Sequence, residues 1–194
     1  MRIAADVEPR LRDLLSQATA WRLLGLLFER PREGWQEELE NLCREFPDAE
    51  ITSAVKAARD EASEGLYFAL LGPGGAVSAR EVSYRGMEDP GHIMADISAF
   101  YDAFAFQPET EEAPDHLAVE AAFLGYLCLK EAYALARGNA EEAEVAANAA
   151  ACFREAHLSL LGWPVAERLE AIGVRYLSLA ATALAGHTGP RKDT

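Results

Sequence analysis

Apolar residues recur at three- and four-residue spacing from the start of the sequence onward. The first stripe lies between Pro9 and Pro31 and consists of Leu11, Leu14, Leu15, Ala18, Trp21, Leu24 and Phe28. This spacing places the apolar side chains on one face of an α-helix. Proline fits a first helical turn because its missing N–H group needs no partner there, and it ends a helix further along. The pattern predicts a long first helix that begins near Pro9 and ends before Pro31.

Six further stripes with the same period follow the first. They lie at 35–46, 51–62, 93–104, 117–137, 143–161 and 165–183. Asp115 is expected to cap the 117–137 helix, because its carboxylate can accept the free N–H groups of a first turn, and Asn139 precedes the next helix in the same way. Gly162-Trp163-Pro164 is expected to turn the chain between the last two helices.

Alternation between apolar and polar residues is confined to short segments. One of them, 76–84, belongs to an irregular stretch between residues 72 and 86. A chain of 194 residues, half of them hydrophobic, is long enough to form one core. The sequence therefore predicts an all-α fold, a single-domain helical bundle of about seven or more helices. This domain is expected to span residues 1–187, with a disordered tail at 188–194.

Acidic residues outnumber basic ones, 32 to 18, which gives a formal net charge of -14 at pH 7. This charge repels nucleic-acid phosphates and anionic membrane surfaces, so nucleic acid is not expected as a partner. It attracts cationic partners, such as a peptide with arginine side chains. Acidity also keeps proteins soluble, and the composition alone leaves that simpler explanation open.

The cysteines and the apolar segments bear on the location of the protein. Cys43, Cys128 and Cys152 are widely spaced and form no Cys-x-x-Cys pair, which favours reduced thiols over disulfides or a zinc site. The segment from Met1 to Arg10 lacks the continuous apolar core of a signal peptide, and no segment approaches the length of an apolar membrane span. We expect a cytoplasmic protein without stable membrane insertion.

Motifs for catalysis and cofactor binding are weak. The glycine-rich run at 72–75 lacks the Gly-Lys-Ser/Thr of a phosphate-binding loop, and the chain has no Gly-x-Ser-x-Gly. His116 and Glu120 lie one helical turn apart, near the acidic run at 109–112, and offer two metal ligands without an evident second pair. A small metal-dependent hydrolase is therefore the alternative of another class. We expect instead that the protein is not an enzyme and has no metal, cofactor or catalytic residues.

Two segments carry more specific patterns. The first is Tyr67-Phe68-Ala69-Leu70-Leu71-Gly72, and the second is Glu112-Ala113-Pro114-Asp115-His116-Leu117-Ala118-Val119-Glu120. They resemble the two signature segments of the TorD/DmsD/NarJ family of redox-enzyme maturation chaperones. The order of Val82-Ser83-Tyr84, of the aromatic segment at 100–104 and of His157-Leu158 before Trp163-Pro164 is also similar to that family. The resemblance covers about residues 15–185.

The resemblance implies an all-helical chaperone without catalytic turnover. Its client would be the catalytic subunit of a molybdopterin oxidoreductase, whose twin-arginine leader is shielded until the cofactor has been inserted. Asp115 and His116 match the pair that the family associates with leader recognition, and the 67–71 segment matches the apolar patch beside it. The family's second motif often continues Glu-Leu-x-Phe-Met, whereas this chain has Glu120-Ala121-Ala122-Phe123-Leu124. A NarJ-like assembly adaptor for a subunit that is not exported, and a homodimer, are therefore left open.

The residue types support this site independently of the resemblance. A twin-arginine leader presents guanidinium groups and an apolar stretch, so its binding site needs carboxylates beside an apolar surface. The candidate peptide-binding residues are Tyr67, Phe68, Leu70, Leu71, Glu112, Pro114, Asp115, His116, Glu120 and Phe123. The competing explanation is structural, with Asp115 as a helix cap and His116 packed against the loop. The binding hypothesis requires the 67–71 segment to contact the start of the helix that follows Asp115.

Overall fold

A computed structural model describes residues 3–44 and 46–190, with side chains from residue 8 onward. Its helices are α1 (Ile3–Phe28), α2 (Trp35–Cys43), α3 (Ala49–Glu61), α4 (Glu64–Leu70), α5 (Pro90–Ala103), α6 (Leu117–Ala136), α7 (Ala140–Phe153), α8 (Ser159–Ile172) and α9 (Arg175–Thr188). Within these residues, extended pairing is limited to one isolated bridge between Arg80 and His116. The all-α prediction is confirmed. Helix α9 extends to Thr188, and residues 191–194 of the predicted tail lie outside the described residues.

Helices α1 and α6 form the centre of the bundle and pack along their lengths. Glycines allow their backbones to approach closely. A Cβ atom at Gly25 would lie 3.0 Å from the Ala118 carbonyl oxygen, and one at Gly125 would lie 3.2 Å from that of Ala18. Leucines of α1, such as the fully buried Leu23 and Leu24, fill the core around this contact. The close approach fixes where α6 begins, and the candidate site lies at that point.

The C-terminal half contains one long helical segment with an irregular turn inside it. Asn139 caps the start of α7 as predicted, because its side-chain oxygen accepts a hydrogen bond from the Glu142 N–H group. It passes through a π-helical turn, Arg154–Leu158, directly into α8. The π turn packs against α6 and α9.

The prediction that Gly162-Trp163-Pro164 turns the chain is wrong, because all three residues lie inside α8. Packing against the end of α9 holds the helix through the proline. Gly162 lies against Thr188, where a Cβ atom would come within 2.4 Å of the hydroxyl oxygen, and the Trp163 indole N–H donates to the Gly189 carbonyl at 3.0 Å. Tertiary packing thus outweighs the local tendency of proline to end a helix. The chain turns instead at Gly173, which has a φ of 80°.

An irregular segment, residues 76–85, which we call the strap, crosses the start of α6. Two of its own side chains, Val77 and Ala79, are buried in the core. Backbone hydrogen bonds join the strap to the chain before α6. The Leu117 N–H donates to the Ala79 carbonyl at 2.8 Å, and the Glu81 N–H donates to the Asp115 carbonyl at 2.9 Å. The strap therefore determines which side chains around residue 115 are covered.

Candidate binding site at the start of helix α6

The site is built around a contact between α4 and the segment that leads into α6. Ser63 caps α4 by accepting a hydrogen bond from the Leu66 N–H group, which positions Tyr67 one turn later. The Tyr67 hydroxyl donates to a Glu112 carboxylate oxygen at 2.5 Å and lies 3.5 Å from Nε2 of His116. The two segments that the sequence singled out are thus in contact. Their role in binding stays a prediction.

Tyr67 and His116 are buried, and their protonation follows from that. Burial, together with the hydrogen bond to Glu112, raises the pKa of Tyr67, so its hydroxyl remains a donor. Burial lowers the pKa of His116, although the Glu112 and Asp115 carboxylates act in the opposite direction. Nδ1 of His116 accepts from the Ala118 N–H group at 3.2 Å, which assigns the ring proton of the neutral form to Nε2, facing Tyr67.

Asp115 lies on the other side of the same segment and is fully buried. Its carboxylate pairs with the guanidinium group of Arg80 and accepts a hydrogen bond from the Val82 N–H group at 3.2 Å. The prediction that Asp115 caps α6 is wrong, since His116 is the residue that accepts from the first turn. The strap supplies Asp115 with its partners, so its carboxylate is already occupied in this structure.

The exposed part of the site surrounds Phe68, whose side chain is 46% exposed. The guanidinium group of Arg30 lies 5.9 Å from the centre of the Phe68 ring. It also lies 3.7 Å from a carboxylate oxygen of Glu111 and 3.9 Å from one of Glu64. Pro114 and Glu112 are partly exposed, and Glu112 adjoins Phe68 through Tyr67, whose ring packs edge-on against the Phe68 ring. We call Phe68, Glu111, Glu112 and Pro114, together with Arg30 over the Phe68 ring, the Phe68 surface.

The remaining candidate residues lie beneath this surface. Leu70 and Leu71 are buried in the core, where they anchor α4. Phe123 is fully buried, and its ring packs against those of Tyr101, Phe104, Phe106 and Phe153. Glu120 is also fully buried, and it interacts with Glu81 of the strap rather than with Glu112. The structure therefore separates the ten candidates into a contact surface and the packing that supports it.

A groove between α1 and α6 was not predicted from the sequence. It has a volume of about 490 Å³, and the small residues Ala18, Ala122 and Gly125 line it. Phe106, Pro108, Tyr126 and Leu129 also line the groove, together with Glu29 and Glu109. The close approach of α1 and α6 produces it, because small residues at a helix contact leave a depression beside it. We call it the α1/α6 groove.

Arg30, Arg80, Glu81 and Arg85 were also missed by sequence reasoning. Arg80, Glu81 and Arg85 lie in the irregular strap, where charged side chains would ordinarily face water. No local pattern predicts that Arg80 pairs with a carboxylate 35 positions away. The available hint is the presence of three charged residues, Arg80, Glu81 and Arg85, within six positions of the strap.

The structure also bears on the metal and membrane hypotheses. Within residues 3–44 and 46–190, no group of three or more His, Cys, Asp and Glu side chains is arranged to hold a metal ion. His116 and Glu120, the pair behind the hydrolase alternative, have different neighbours. Among the helices of the described chain, none combines the length and the apolar character that crossing a membrane requires.

Comparisons with known proteins agree with the motifs. Residues 29–161 match the family model of the nitrate reductase delta subunit. The chain is 34% identical over 128 residues to the chlorate reductase assembly chaperone protein of Ideonella dechloratans, covering 63% of this chain and 65% of the relative. It is 32% identical over 144 residues to the selenate reductase assembly chaperone protein of Thauera selenatis, covering 68% and 73%. The match thus spans just under two thirds of the first relative's length.

No solved structure shows significant similarity to the chain. The family match nevertheless covers both signature segments, at 67–72 and 112–120. The chain therefore belongs to the nitrate reductase delta subunit family, within the redox-enzyme maturation chaperones of the TorD/DmsD/NarJ type.

Proposed function

We propose that this protein is a cytoplasmic assembly chaperone for the catalytic subunit of a molybdopterin oxidoreductase. It binds the twin-arginine leader of that subunit and delays export until the cofactor is in place. The printed names of the two relatives, assembly chaperones of chlorate reductase and selenate reductase, support this class of client. The proposal is a binding function without catalytic turnover.

One observation carries the proposal for leader binding. At the Phe68 surface, an arginine side chain already rests between an aromatic ring and two carboxylates. These are the groups that recognise guanidinium, through stacking on the ring and charge-assisted hydrogen bonds. The ion pairs of Arg30 are long and exposed, so they contribute little stability. A leader arginine can therefore displace Arg30 at small cost and reach Glu112 as well.

The α1/α6 groove supplies an apolar surface near the same point. Two carboxylates line the groove, those of Glu29 and Glu109. Glu29 directly precedes Arg30 in the sequence, and Glu109 is the first residue of the acidic run at 109–112. A leader with its arginines at the Phe68 surface could place its apolar stretch along the groove. Burial of about 500 Å² of apolar surface contributes about 12 kcal/mol. Association costs about 4 to 15 kcal/mol, which leaves room for micromolar affinity, about -8 kcal/mol.

Calorimetric titration of a synthetic leader tests this function. The peptide carries two adjacent arginines followed by an apolar stretch, and a second peptide replaces both arginines with lysine. Glu112→Gln should weaken binding of the arginine peptide about tenfold, and Phe68→Ala about fivefold. Glu170→Gln, which removes an exposed carboxylate on α8, is the matched control and should bind like the wild type. Equal affinity of all four proteins, or of both peptides, contradicts the assignment of the site.

A second candidate is an adaptor that binds a folded subunit without a leader. Exposed apolar side chains on α6 and α7 favour it, namely Leu129, Tyr133 and Val145. A contiguous patch of this kind marks contact surfaces on soluble proteins. Pull-down with a client subunit lacking its leader separates the two functions, because only the adaptor retains it. The same patch is available for a homodimer, which light scattering of the purified protein detects.

A further inference from the structure

A buried polar cluster lies behind the Phe68 surface, between the strap and α6. It contains three fully buried carboxyl groups, those of Glu81, Asp115 and Glu120. Asp115 pairs with Arg80, and Glu81 pairs with Arg85. Neither oxygen of Glu120 has a hydrogen-bond donor among the described residues. The cluster thus has one carboxyl group more than it has guanidinium groups.

The surroundings of Glu120 determine the protonation of the cluster. If all three carboxyl groups were ionised, Glu120 would be a buried negative charge without a hydrogen-bond donor, and such a charge normally takes up a proton instead. Burial raises its pKa well above the usual value, and the neighbouring carboxylates of Glu81 and Asp115 raise it further, while Arg85 opposes them. A protonated Glu120 has a hydroxyl group that can serve as a donor to the neighbouring Glu81 carboxylate.

His157, in the π turn, contacts Glu81 from outside the strap. Its Nδ1 lies 3.1 Å from a Glu81 carboxylate oxygen, and its Nε2 lies 3.3 Å from a carboxylate oxygen of the exposed Asp96. Tyr101 of α5 donates its hydroxyl group to the Pro114 carbonyl at 2.8 Å, and burial raises its pKa, so it stays neutral. The groups that interact with Glu120 are therefore the carboxyl groups of Glu81 and Asp115, the guanidinium group of Arg85 and the neutral phenol of Tyr101.

We propose that a proton held by Glu120 keeps the strap closed over the start of α6. Two of the charged partners, Glu81 and Arg85, belong to the strap, and Arg85 also donates to the Ala156 carbonyl at 2.6 Å, which ties the strap to the π turn. Loss of the proton places a second negative charge against Glu81 in a site that water does not reach. The repulsion separates the strap from α6 and uncovers Asp115.

The direction of the pH dependence follows from these charges. Glu120 has a raised pKa in the closed form, so its contribution to closure is complete at acidic pH and is lost as pH rises through that pKa. The pKa of Glu81 is lowered, because its hydrogen bond and charge interaction with His157, and then the charge of Arg85, outweigh the effect of burial. Its contribution is present above its unfolded pKa and is lost as pH falls below it. Closure therefore has a maximum between the pKa of Glu81 and the pKa of Glu120 and declines as pH rises above the latter.

Hydrogen exchange of the strap amides, measured by mass spectrometry, tests the proposal without any peptide or client. The protection factor of the Glu81 and Leu117 N–H groups should be highest at acidic pH and should fall about tenfold as pH is raised to the alkaline side of the Glu120 titration. Glu120→Gln keeps the hydrogen-bonding group and cannot ionise, so its protection should stay high across this range. Glu131→Gln alters a buried carboxyl on the same helix that pairs with Arg10 outside the cluster, and it should keep the wild-type slope.

Three outcomes of the exchange experiment overturn the proposal. The first is wild-type protection that does not change with pH, and the second is a Glu120→Gln variant whose protection depends on pH as in the wild type. The third is a pH dependence that disappears in His157→Gln but persists in Glu120→Gln. Infrared spectroscopy of the wild type gives a second readout that requires no variant to fold. A carbonyl band from a protonated carboxylic acid at neutral pH supports the proposal, and its absence contradicts it. A failure of leader binding leaves these results unaffected, so the two proposals can fail separately.

Discussion

The two sides of the segment at 112–120 use the same kind of side chain for different purposes. On the α4 side, Glu112 is partly exposed and accepts a hydrogen bond from Tyr67. On the strap side, Asp115 and Glu120 are fully buried, one paired with Arg80 and the other without a cation. A carboxylate that keeps contact with water can take up a new cationic partner at low cost, whereas a buried one that is already paired cannot. Burial, rather than charge, distinguishes the proposed recognition side from the structural side.

The comparison predicts losses of different size for Asp115→Ala and Glu112→Ala. Asp115→Ala should lower the free energy of unfolding by about 3 kcal/mol, because it empties a fully buried position and removes the partner of Arg80 and of the Val82 N–H group. Glu112→Ala should lower it by about 1 kcal/mol or less, since solvent replaces the lost contact. Urea unfolding of both variants measures the difference. Equal losses of stability would show that the two sides are not distinct.

His116 joins the two sides, and its replacement should have the next largest effect. His116→Ala removes both the cap of α6 and the contact with Tyr67, and should cost about 2 kcal/mol. His116→Asn retains a side chain that can cap the helix and should cost about half as much. Chemical denaturation of both variants near neutral pH measures these losses.

The wild type also carries a pH signature from His116. Burial lowers the pKa of this histidine in the folded protein, so its contribution to stability is present above its unfolded pKa, about 6.5, and is lost as pH falls through the folded pKa. His116→Asn cannot titrate, so the stability difference between wild type and variant should shrink at acidic pH. A difference that does not change with pH would mean that the pKa of His116 is the same in the folded and the unfolded protein, and a difference that grows at acidic pH would mean that folding raises it.

Tyr67→Phe tests the hydrogen bond on the recognition side alone. The variant keeps the buried ring and removes only the hydroxyl group, so unfolding should become easier by about 1 kcal/mol. Tyr133→Phe is the matched control, because its hydroxyl group lies on an exposed side chain and accepts a hydrogen bond from the exposed Arg137. Thermal unfolding of both variants should show a clear loss for Tyr67→Phe and almost none for Tyr133→Phe. Indistinguishable curves would remove the energetic basis of the α4 contact.

The helices could be predicted because their signal is local. Apolar spacing and caps such as Asn139 depend on residues within a few positions of one another, and the structure confirms the helical pattern. The errors occur where distant parts of the chain decide the outcome. Pro164 continues a helix because α9 packs against it, and Asp115 turns away from its helix because Arg80 arrives from the strap. Such contacts have no signature in the neighbouring sequence.

The contact between the two candidate segments was predictable for a different reason. Tyr67 and Glu112 were named because their segments resemble those of a family, and the structure brings the two side chains to 2.5 Å. The resemblance gave residue types but not their accessibility, so Leu70, Phe123 and Glu120 were placed beside the exposed residues although all three are buried. The arginines that complete the site, Arg30 and Arg80, lie outside the quoted motifs. Accessibility and long-range ion pairs are properties of the fold that periodicity does not encode.

The smallest predicted effect concerns Arg30, which occupies the place proposed for a leader arginine. Arg30→Gln should strengthen leader binding about twofold, because an exposed ion pair worth about 0.5 kcal/mol no longer competes with the peptide. Arg12→Gln removes the same charge at an exposed site on α1, where Arg12 pairs with Glu8, so it controls for the change in net charge. Calorimetry at low salt compares both variants with the wild type. Stronger binding in Arg30→Gln alone would place the leader arginine at the Phe68 surface, whereas weaker binding would mean that Arg30 itself holds the peptide.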